Sequence, residues 1–315
     1  MTVTAELPVQ RDDVHSGLRA TPKRLPSRLL YDDIGAELRE QITGIDDWYL
    51  ARTELRLLDA QLAAIAADVG IAPRVVELGA PLAIRTKRLL RGLDHPAAYI
   101  ALDQCSSALR YVTDIVQREL PALDIQTFVT DFTRPFKLPS PRRPIGRTLA
   151  FVPGAQIDNL EPFEAVAVLA TLRRYAAPNG RLLLSADGTR DRDALLRAYD
   201  DRDGVTAAFN KNALKNLERE RGTCMDATAF EHRAVWNDSH CRVELHLVSQ
   251  RAQRINLGAI VLDLAAGEPI VTAYAYKHDI HAMRGLLYAS GWQVRDLYEA
   301  EEQPMRLWLC EPRGG

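Results

Sequence analysis

Four short apolar segments of this chain end in residues able to hold a nucleoside. Gly79 follows Glu77-Leu78, Asp103 follows residues 98–102, Asp131 follows residues 125–130, and a 153–159 loop follows residues 148–152. A carboxylate accepts hydrogen bonds at both oxygens, so Asp103 suits the two hydroxyls of a ribose. Asp131-Phe132 offers a carboxylate for an exocyclic amine and a backbone N–H for a ring nitrogen, a pairing that fits adenine. Glu77-Leu78-Gly79 places an acid and a glycine at the first turn, where backbone must approach a ligand closely. Each feature alone is also what a helix cap requires. Three in register at strand ends point to an adenosine-type ligand. The first turn reads Gly79-Ala80-Pro81-Leu82-Ala83-Ile84 instead of GxGxxG, which counts against NAD.

The elements that position these residues follow from periodicity. Strands are expected at 74–78, 98–102, 125–130, 148–152 and 181–185, the last running on to Asp187, with helical stretches between them. That alternation predicts parallel βαβ units in a doubly wound α/β sheet, whose ligands sit at the carboxyl ends of the strands. Beyond Asp187 two helical stretches are followed by alternating segments at 241–250, 255–264 and 270–276, read as antiparallel strands. Residues 286–292 read as the last helix of the sheet domain, and 294–300 with 305–310 as a closing hairpin. Two helices are expected at about 31–45 and 50–67, and the proline-bearing residues 1–28 as a flexible arm or extended wrap. The resulting division is 1–58 (arm and helices of a second lobe), 59–189 (sheet domain), 190–277 (second lobe, α+β) and 278–315 (return to the sheet).

Composition narrows the partners. With 40 basic and 42 acidic residues and no block of one sign, no concentrated basic face is present for nucleic acid or anionic membrane. The Pro141-Arg142-Arg143-Pro144 cluster reads as a solvated loop. No leader-like or membrane-spanning apolar run is visible, and Cys105, Cys224, Cys241 and Cys310 form no CxxC pair, which suits a reducing cytoplasm and no zinc site. His278 and His281 lack a carboxylate to complete a ligand set, so no metal is expected. A small-molecule substrate is the expected partner, with monomer and homodimer equally compatible.

Several longer motifs resemble, in order and spacing, the histidine-specific amino-acid N-methyltransferases of ergothioneine biosynthesis. They are Tyr31-Asp32-Asp33-Ile34-Gly35, Trp48-Tyr49-Leu50-Ala51-Arg52-Thr53-Glu54, Glu77-Leu78-Gly79, Asp131-Phe132, Pro153-Gly154 and Ile157 with Asn159-Leu160. Ala198-Tyr199-Asp200-Asp201 with Gly204-Val205-Thr206-Ala207-Ala208-Phe209-Asn210, Phe230-Glu231-His232 and Ala265-Ala266-Gly267-Glu268 complete the set. The resemblance implies a class I methyltransferase-like sheet with a discontinuous substrate lobe and S-adenosylmethionine (AdoMet) as cosubstrate. It implies that Glu77, Gly79 and Asp103 serve the methionine and ribose parts, and Asp131 and Phe132 the adenine. Arg85 stands where the family has a lysine on the cofactor carboxylate, and an arginine can hold that group bidentately. Asn159, Tyr199 and Gly154 match residues around the substrate's amino and carboxylate groups, and Tyr31 a tyrosine facing the methylated nitrogen.

The departures carry information too. The family's G-S-G-T turn is Gly79-Ala80-Pro81-Leu82 here, and Pro81 lacks an N–H. The acidic residue and serine that bond imidazole in the family are Ala273 and Ala275 here, so histidine loses its polar partners. Trp48, Tyr49, Tyr274 and Tyr276 are expected to make the pocket aromatic, with at least one ring near the sulfonium or the reacting amine. The same aromatics also suit plain core packing. The leading function is therefore AdoMet-dependent N-methylation of a free α-amino acid other than histidine. One alternative uses AdoMet as sole substrate, its amine closing on its own γ-carbon to give azetidine-2-carboxylate and methylthioadenosine. A second alternative is a catalytically silent methyltransferase scaffold.

Overall fold

A computed structural model of the chain describes residues 12–79, 83–134, 136–258 and 261–314. In chain order the elements begin with α1 (Asp12–Arg19), β1 (Lys23–Arg24), α2 (Asp33–Gly44) and α3 (Tyr49–Val69). The alternating part follows as β2 (Arg74–Leu78), α4 (Ala83–Gly92), β3 (Ala98–Asp103), α5 (Ser106–Glu119), β4 (Asp124–Val129), β5 (Thr148–Val152), α6 (Pro162–Ala176) and β6 (Arg181–Asp187). Then come α7 (Arg192–Tyr199), α8 (Val205–Arg221), β7 (Phe230–Asn237), β8 (Arg242–Ser249), β9 (Gln253–Asn256), β10 (Val261–Leu264) and β11 (Pro269–Tyr276). The chain closes with α9 (Ile280–Ala289), β12 (Trp292–Glu299) and β13 (Met305–Pro312). Two compact units result, one from residues 49–189 and 277–315, the other from 12–48 and 190–276 among the described residues.

The first unit is a seven-stranded sheet in the order β12-β13-β6-β5-β2-β3-β4. Its five strands from β2 to β6 are parallel, and β13 runs antiparallel to both β6 and β12. Successive residues feed opposite layers. Val76, Leu78, Ile100, Leu102, Ala150 and Val152 pack with helix α6, while Val75, Tyr99, Ala101, Leu149 and Phe151 pack with α3, α4 and α5. Burial on both faces explains why these strands read as continuous apolar runs without alternation. Strand β2 lies between β3 and β5, so the chain winds outward in both directions from there and leaves a crevice at the carboxyl ends of β2 and β5. The doubly wound expectation therefore holds. Entry to this unit comes at Tyr49, earlier than the division after residue 58. Helix α3 is one uninterrupted element whose Leu57, Leu58, Ile65 and Val69 share the core under the sheet.

The second unit is built on a four-stranded sheet, β1-β11-β8-β7, and a separate β9–β10 hairpin. Residues 1–11 lie outside the described residues, but 12–28 are no flexible arm. Val14 and Leu18, one turn apart on α1, are buried with Leu25, and Arg28 holds Asp13 and Glu220. The 255–264 segment is two strands, with Asn256 paired to Val261. Strand β7 carries no alternation legible in the sequence, because Glu231, His232 and Arg233 stand side by side near its start. The last helix also sits earlier than expected, and Trp292 opens β12, where its ring is fully buried and its indole N–H donates to the Leu169 carbonyl. No helix among the described residues is long and apolar enough to cross a membrane.

Candidate functional site

In the sheet unit the sequence-derived residues gather at the carboxyl edge. Gly79 ends β2 in a left-handed conformation (φ +65°), and a side chain there would press on Gln156 at about 3.0 Å. Its N–H donates to the Leu102 carbonyl, tying the first turn to β3. The following Ala80, Pro81 and Leu82 lie outside the described residues, so the altered methionine turn is not described. Asp103 is half-buried at the end of β3, and its Oδ1 accepts the Cys105 N–H at 2.7 Å. Asp131 follows β4 and folds back on its own turn, accepting from the Thr133 N–H and hydroxyl and from Arg134 Nε. The Phe132 ring is core, leaving only its backbone for a ligand.

Glu77 is placed differently from the expectation. It is 1% exposed, and its carboxylate accepts from the Tyr99 hydroxyl (2.7 Å) and from the Thr86 hydroxyl, 2.8 and 2.9 Å from its two oxygens. Burial, against the pull of Tyr99 and Thr86, pushes its pKa up to about 7. Glu77 thus ties β2 to α4 and β3 and faces protein, not the strand edge.

Arg85 is likewise committed within the fold. Its Nε meets Glu54 Oε2 at 2.6 Å, with both side chains under 5% exposed. Glu54 Oε1 accepts the Gly154 N–H at 2.7 Å, and a Cβ at Gly154 would stand 2.8 Å from Arg85 Nη1. The pair therefore clamps the loop after β5, where Gly154 has φ +71° and half-buried Asn159 ends a 3₁₀ turn. Motif residue Glu54 was not singled out from the sequence. Its signal was the helical spacing that puts Tyr49 and Glu54 near the start of α3.

A second buried charge cluster lies beside that loop. Asp187, ending β6, takes Lys277 Nζ at 2.8 Å and the Tyr49 hydroxyl at 2.7 Å, and Asp158 accepts the Asp187 N–H at 2.9 Å. Tyr49 is thereby occupied in holding Asp187. None of Asp158, Asp187 and Lys277 was expected, since a lone charged residue in a loop or at a strand end looks like surface.

In the second unit, Asp32 caps α2 through the Gly35 N–H and also accepts from Asn212 Nδ2, while a Cβ at Gly35 would sit 1.8 Å from the Leu30 carbonyl oxygen. That fixes Tyr31, whose ring lies edge-on to Phe209 at 5.6 Å. Trp48 and Tyr199 meet edge to face at 4.9 Å, and Arg39 covers a face of Trp48 at 4.6 Å. Tyr274 and Tyr276 do not share a face with Ala273 and Ala275. In the ladder Ala273 pairs with Leu245 and Ala275 with Val243, whereas Tyr274 pairs with Glu244 and Tyr276 with Arg242. Directly opposed residues point the same way and neighbours alternate. The two tyrosines therefore clasp the Arg242 guanidinium, 3.6 Å from the Tyr274 ring and hydrogen-bonded to the Tyr276 hydroxyl at 2.6 Å. Arg242 also pairs with Glu244, which His246 and Asn237 further hold at a pKa of about 2 despite its burial.

Among the described residues no group of three or more His, Cys, Asp or Glu could hold a metal. The edge instead presents left-handed glycines and strand-end carboxylates, which fit a nucleoside-bearing cosubstrate.

Comparisons with known proteins agree with that arrangement. Residues 10–312 match the model of the SAM-dependent histidine-specific methyltransferases. The histidine N-alpha-methyltransferase of Mycolicibacterium smegmatis is 37% identical over 273 residues, 85% of this chain and 84% of that one. Its counterpart in Mycobacterium tuberculosis is 36% identical over 89% and 88% of the two chains. The N-methyltransferase imqF of Aspergillus flavus is 27% identical over 89% and 80%. A SAM-dependent methyltransferase structure from Clostridium acetobutylicum shares the fold at a TM-score of 0.51 and 9% identity, over 88% of this chain and 99% of that one. The sheet is that of a class I methyltransferase, AdoMet is the cosubstrate, and the chain belongs to the histidine-specific, SAM-dependent N-methyltransferase family.

Proposed function

We propose that this enzyme methylates the α-amine of a free amino acid whose side chain is not imidazole. The observation that carries the reading is the row of Ala273, Ala275, Leu245 and Val243 on one face of the second sheet. Those alanines stand where the family holds imidazole through an acidic residue and a serine, and the row has no polar side chain to offer a ring nitrogen. Family membership alone leaves the acceptor open, since matching relatives are named both as histidine N-alpha-methyltransferases and simply as N-methyltransferases.

AdoMet supplies a methyl group on a cationic sulfur, and the chain's residues have to present a neutral amine in line with it. By the family resemblance, Tyr199 is proposed to hold the amino acid's amine and carboxylate, so that most of the rate comes from positioning. In this reading Tyr274 and Tyr276 serve to hold Arg242. Trp48 enters it through its contact with Tyr199.

Two outcomes are expected. Asp103→Ala should weaken AdoMet binding about tenfold to a hundredfold by calorimetry, because a carboxylate on hydroxyl hydrogens contributes about 1.5–3 kcal/mol. Unchanged affinity would remove Asp103 from the ribose. Incubation with AdoMet and free L-amino acids, read by mass, should show methylated products for acceptors other than histidine. Ala273→Glu combined with Ala275→Ser should shift turnover toward histidine. Efficient methylation of histidine by the wild type overturns the acceptor reading. Methylthioadenosine released from AdoMet alone would replace methyl transfer by intramolecular cyclisation.

A further inference from the structure

Three of the family motifs, Ala198-Tyr199-Asp200-Asp201, Gly204 to Asn210 and Phe230-Glu231-His232, converge on one hydrogen-bonded frame in the second unit. Asp201 caps α8 by accepting the Val205 and Thr206 N–H groups at 2.9 and 2.7 Å. From the second turn of that helix, Asn210 reaches the sheet with no solvent exposure. Its Nδ2 donates to the His246 carbonyl at 3.1 Å, and its Oδ1 accepts from the Thr272 hydroxyl. A carbonyl only accepts, so the orientation of the Asn210 amide is settled by that contact. The same Nδ2 stands 2.8 Å from His232 Nδ1, which must therefore be the acceptor nitrogen. The ring proton is then on Nε2, which donates to the Tyr199 carbonyl at 3.0 Å. Burial lowers the His232 pKa, outweighing the Tyr199 carbonyl, Asp200 and Asp201, while Lys211 acts in the lowering direction. His232 pairs with Leu247, so it lies on the face that carries Leu245, Ala273, Val243 and Ala275.

We infer that His232, locked by Asn210 as the neutral Nε2–H tautomer, is a positioning residue that sets where Tyr199 ends α7 and thereby governs binding of the amino-acid acceptor. It would do so without touching that acceptor. The inference rests on Tyr199 belonging to the acceptor site. Strand β7, helix α8 and the Thr272 bulge of β11 all transmit their positions to Tyr199 through one imidazole, and the Tyr199 ring in turn abuts Trp48.

The tautomer is read directly from the imidazole nitrogen resonances of the ¹⁵N-labelled full chain at neutral pH. The expected result is a neutral ring protonated at Nε2, and a charged ring or an Nδ1–H tautomer overturns the inference. Steady-state methyl transfer to an equimolar mixture of free L-amino acids then compares His232→Ala and His232→Gln with the wild type. His232→Ala should raise the apparent KM for the mixture about tenfold while the AdoMet Kd stays within about twofold. His232→Gln, whose side-chain amide restores a donor, should recover most of the loss. An unchanged KM in folded His232→Ala, or no recovery in His232→Gln, overturns the inference. Should the wild type turn over none of the mixture, the acceptor reading fails by itself. Trp48 emission, isolated by difference from Trp48→Phe, then decides the positioning, since it must change in His232→Ala if Tyr199 has moved.

Discussion

Asp187→Asn is expected to cost about 3–5 kcal/mol of stability in urea unfolding, the largest single effect in the sheet unit. Lys277 is a fully buried ammonium, and Asp187 is the carboxylate on it, at 2.8 Å with neither side chain exposed. Burial alone would push the Asp187 carboxyl up, but Lys277, Thr189 and Tyr49 together bring it below its ordinary value. Its neighbour Asp158 goes the other way, held well above the usual range by burial although Lys277 pulls it down. An amide at 187 removes the carboxylate that is ion-paired to Lys277 in a low dielectric, while Asp158 stays within reach of the lysine charge. Tyr49→Phe is the control. It removes one hydrogen bond to the same oxygen and should cost only about 1 kcal/mol. Equal losses in the two variants would show that the charge balance is not what the cluster contributes.

Glu77→Gln should reverse sign against the wild type across the pH range. The folded-state pKa of Glu77 is raised to about 7 from an ordinary 4.5. A raised acid binds its proton more tightly when folded, so its favourable contribution is fully present below about 4.5. It is lost as the pH rises toward and through 7. A shift of that size corresponds to about 3 kcal/mol. The glutamine variant has no proton to lose, and its carbonyl can still accept from Tyr99. It should be no more stable than the wild type at pH 4.5 and more stable by up to about 3 kcal/mol at pH 8.5. A stability difference independent of pH would mean that Glu77 titrates normally and that its burial is relieved by some other route.

The sheet unit was readable because its physics is local. Apolar runs such as Val75-Val76 and Leu182-Leu183-Leu184, each followed by a helical stretch, leave little choice but parallel strands buried on both faces. Strand ends are then fixed by where those runs stop, which is why Gly79, Asp103, Asp131 and the loop to Asn159 follow β2, β3, β4 and β5 as read from the sequence. Family motifs extended the reading to Tyr31, Trp48 and Tyr199, and the comparisons confirmed the family and the cosubstrate.

What the sequence by itself determined was thus the alternation of strands and helices in the sheet unit and which residues stand at its strand ends. The partners of buried charged groups were decided only by the tertiary structure. Glu77 reads as a ligand contact at a strand end, yet Thr86 and Tyr99 claim it. Arg85 reads, by the family resemblance, as a contact to the cofactor carboxylate, yet Glu54 of α3 meets it. Strand β11 shows the same limit most plainly. Counting by twos from Ile270 puts Thr272, Tyr274 and Tyr276 on its face and the alanines opposite. A bulge between Val271 and Ala273 shifts the register, so that Ala273 and Ala275 come to the Ile270 face and the tyrosines go to Arg242. A bulge is one extra residue accommodated by the partner strand, and its position is set by what β8 and Asn210 offer Thr272 across the sheet. No period within β11 alone contains that information.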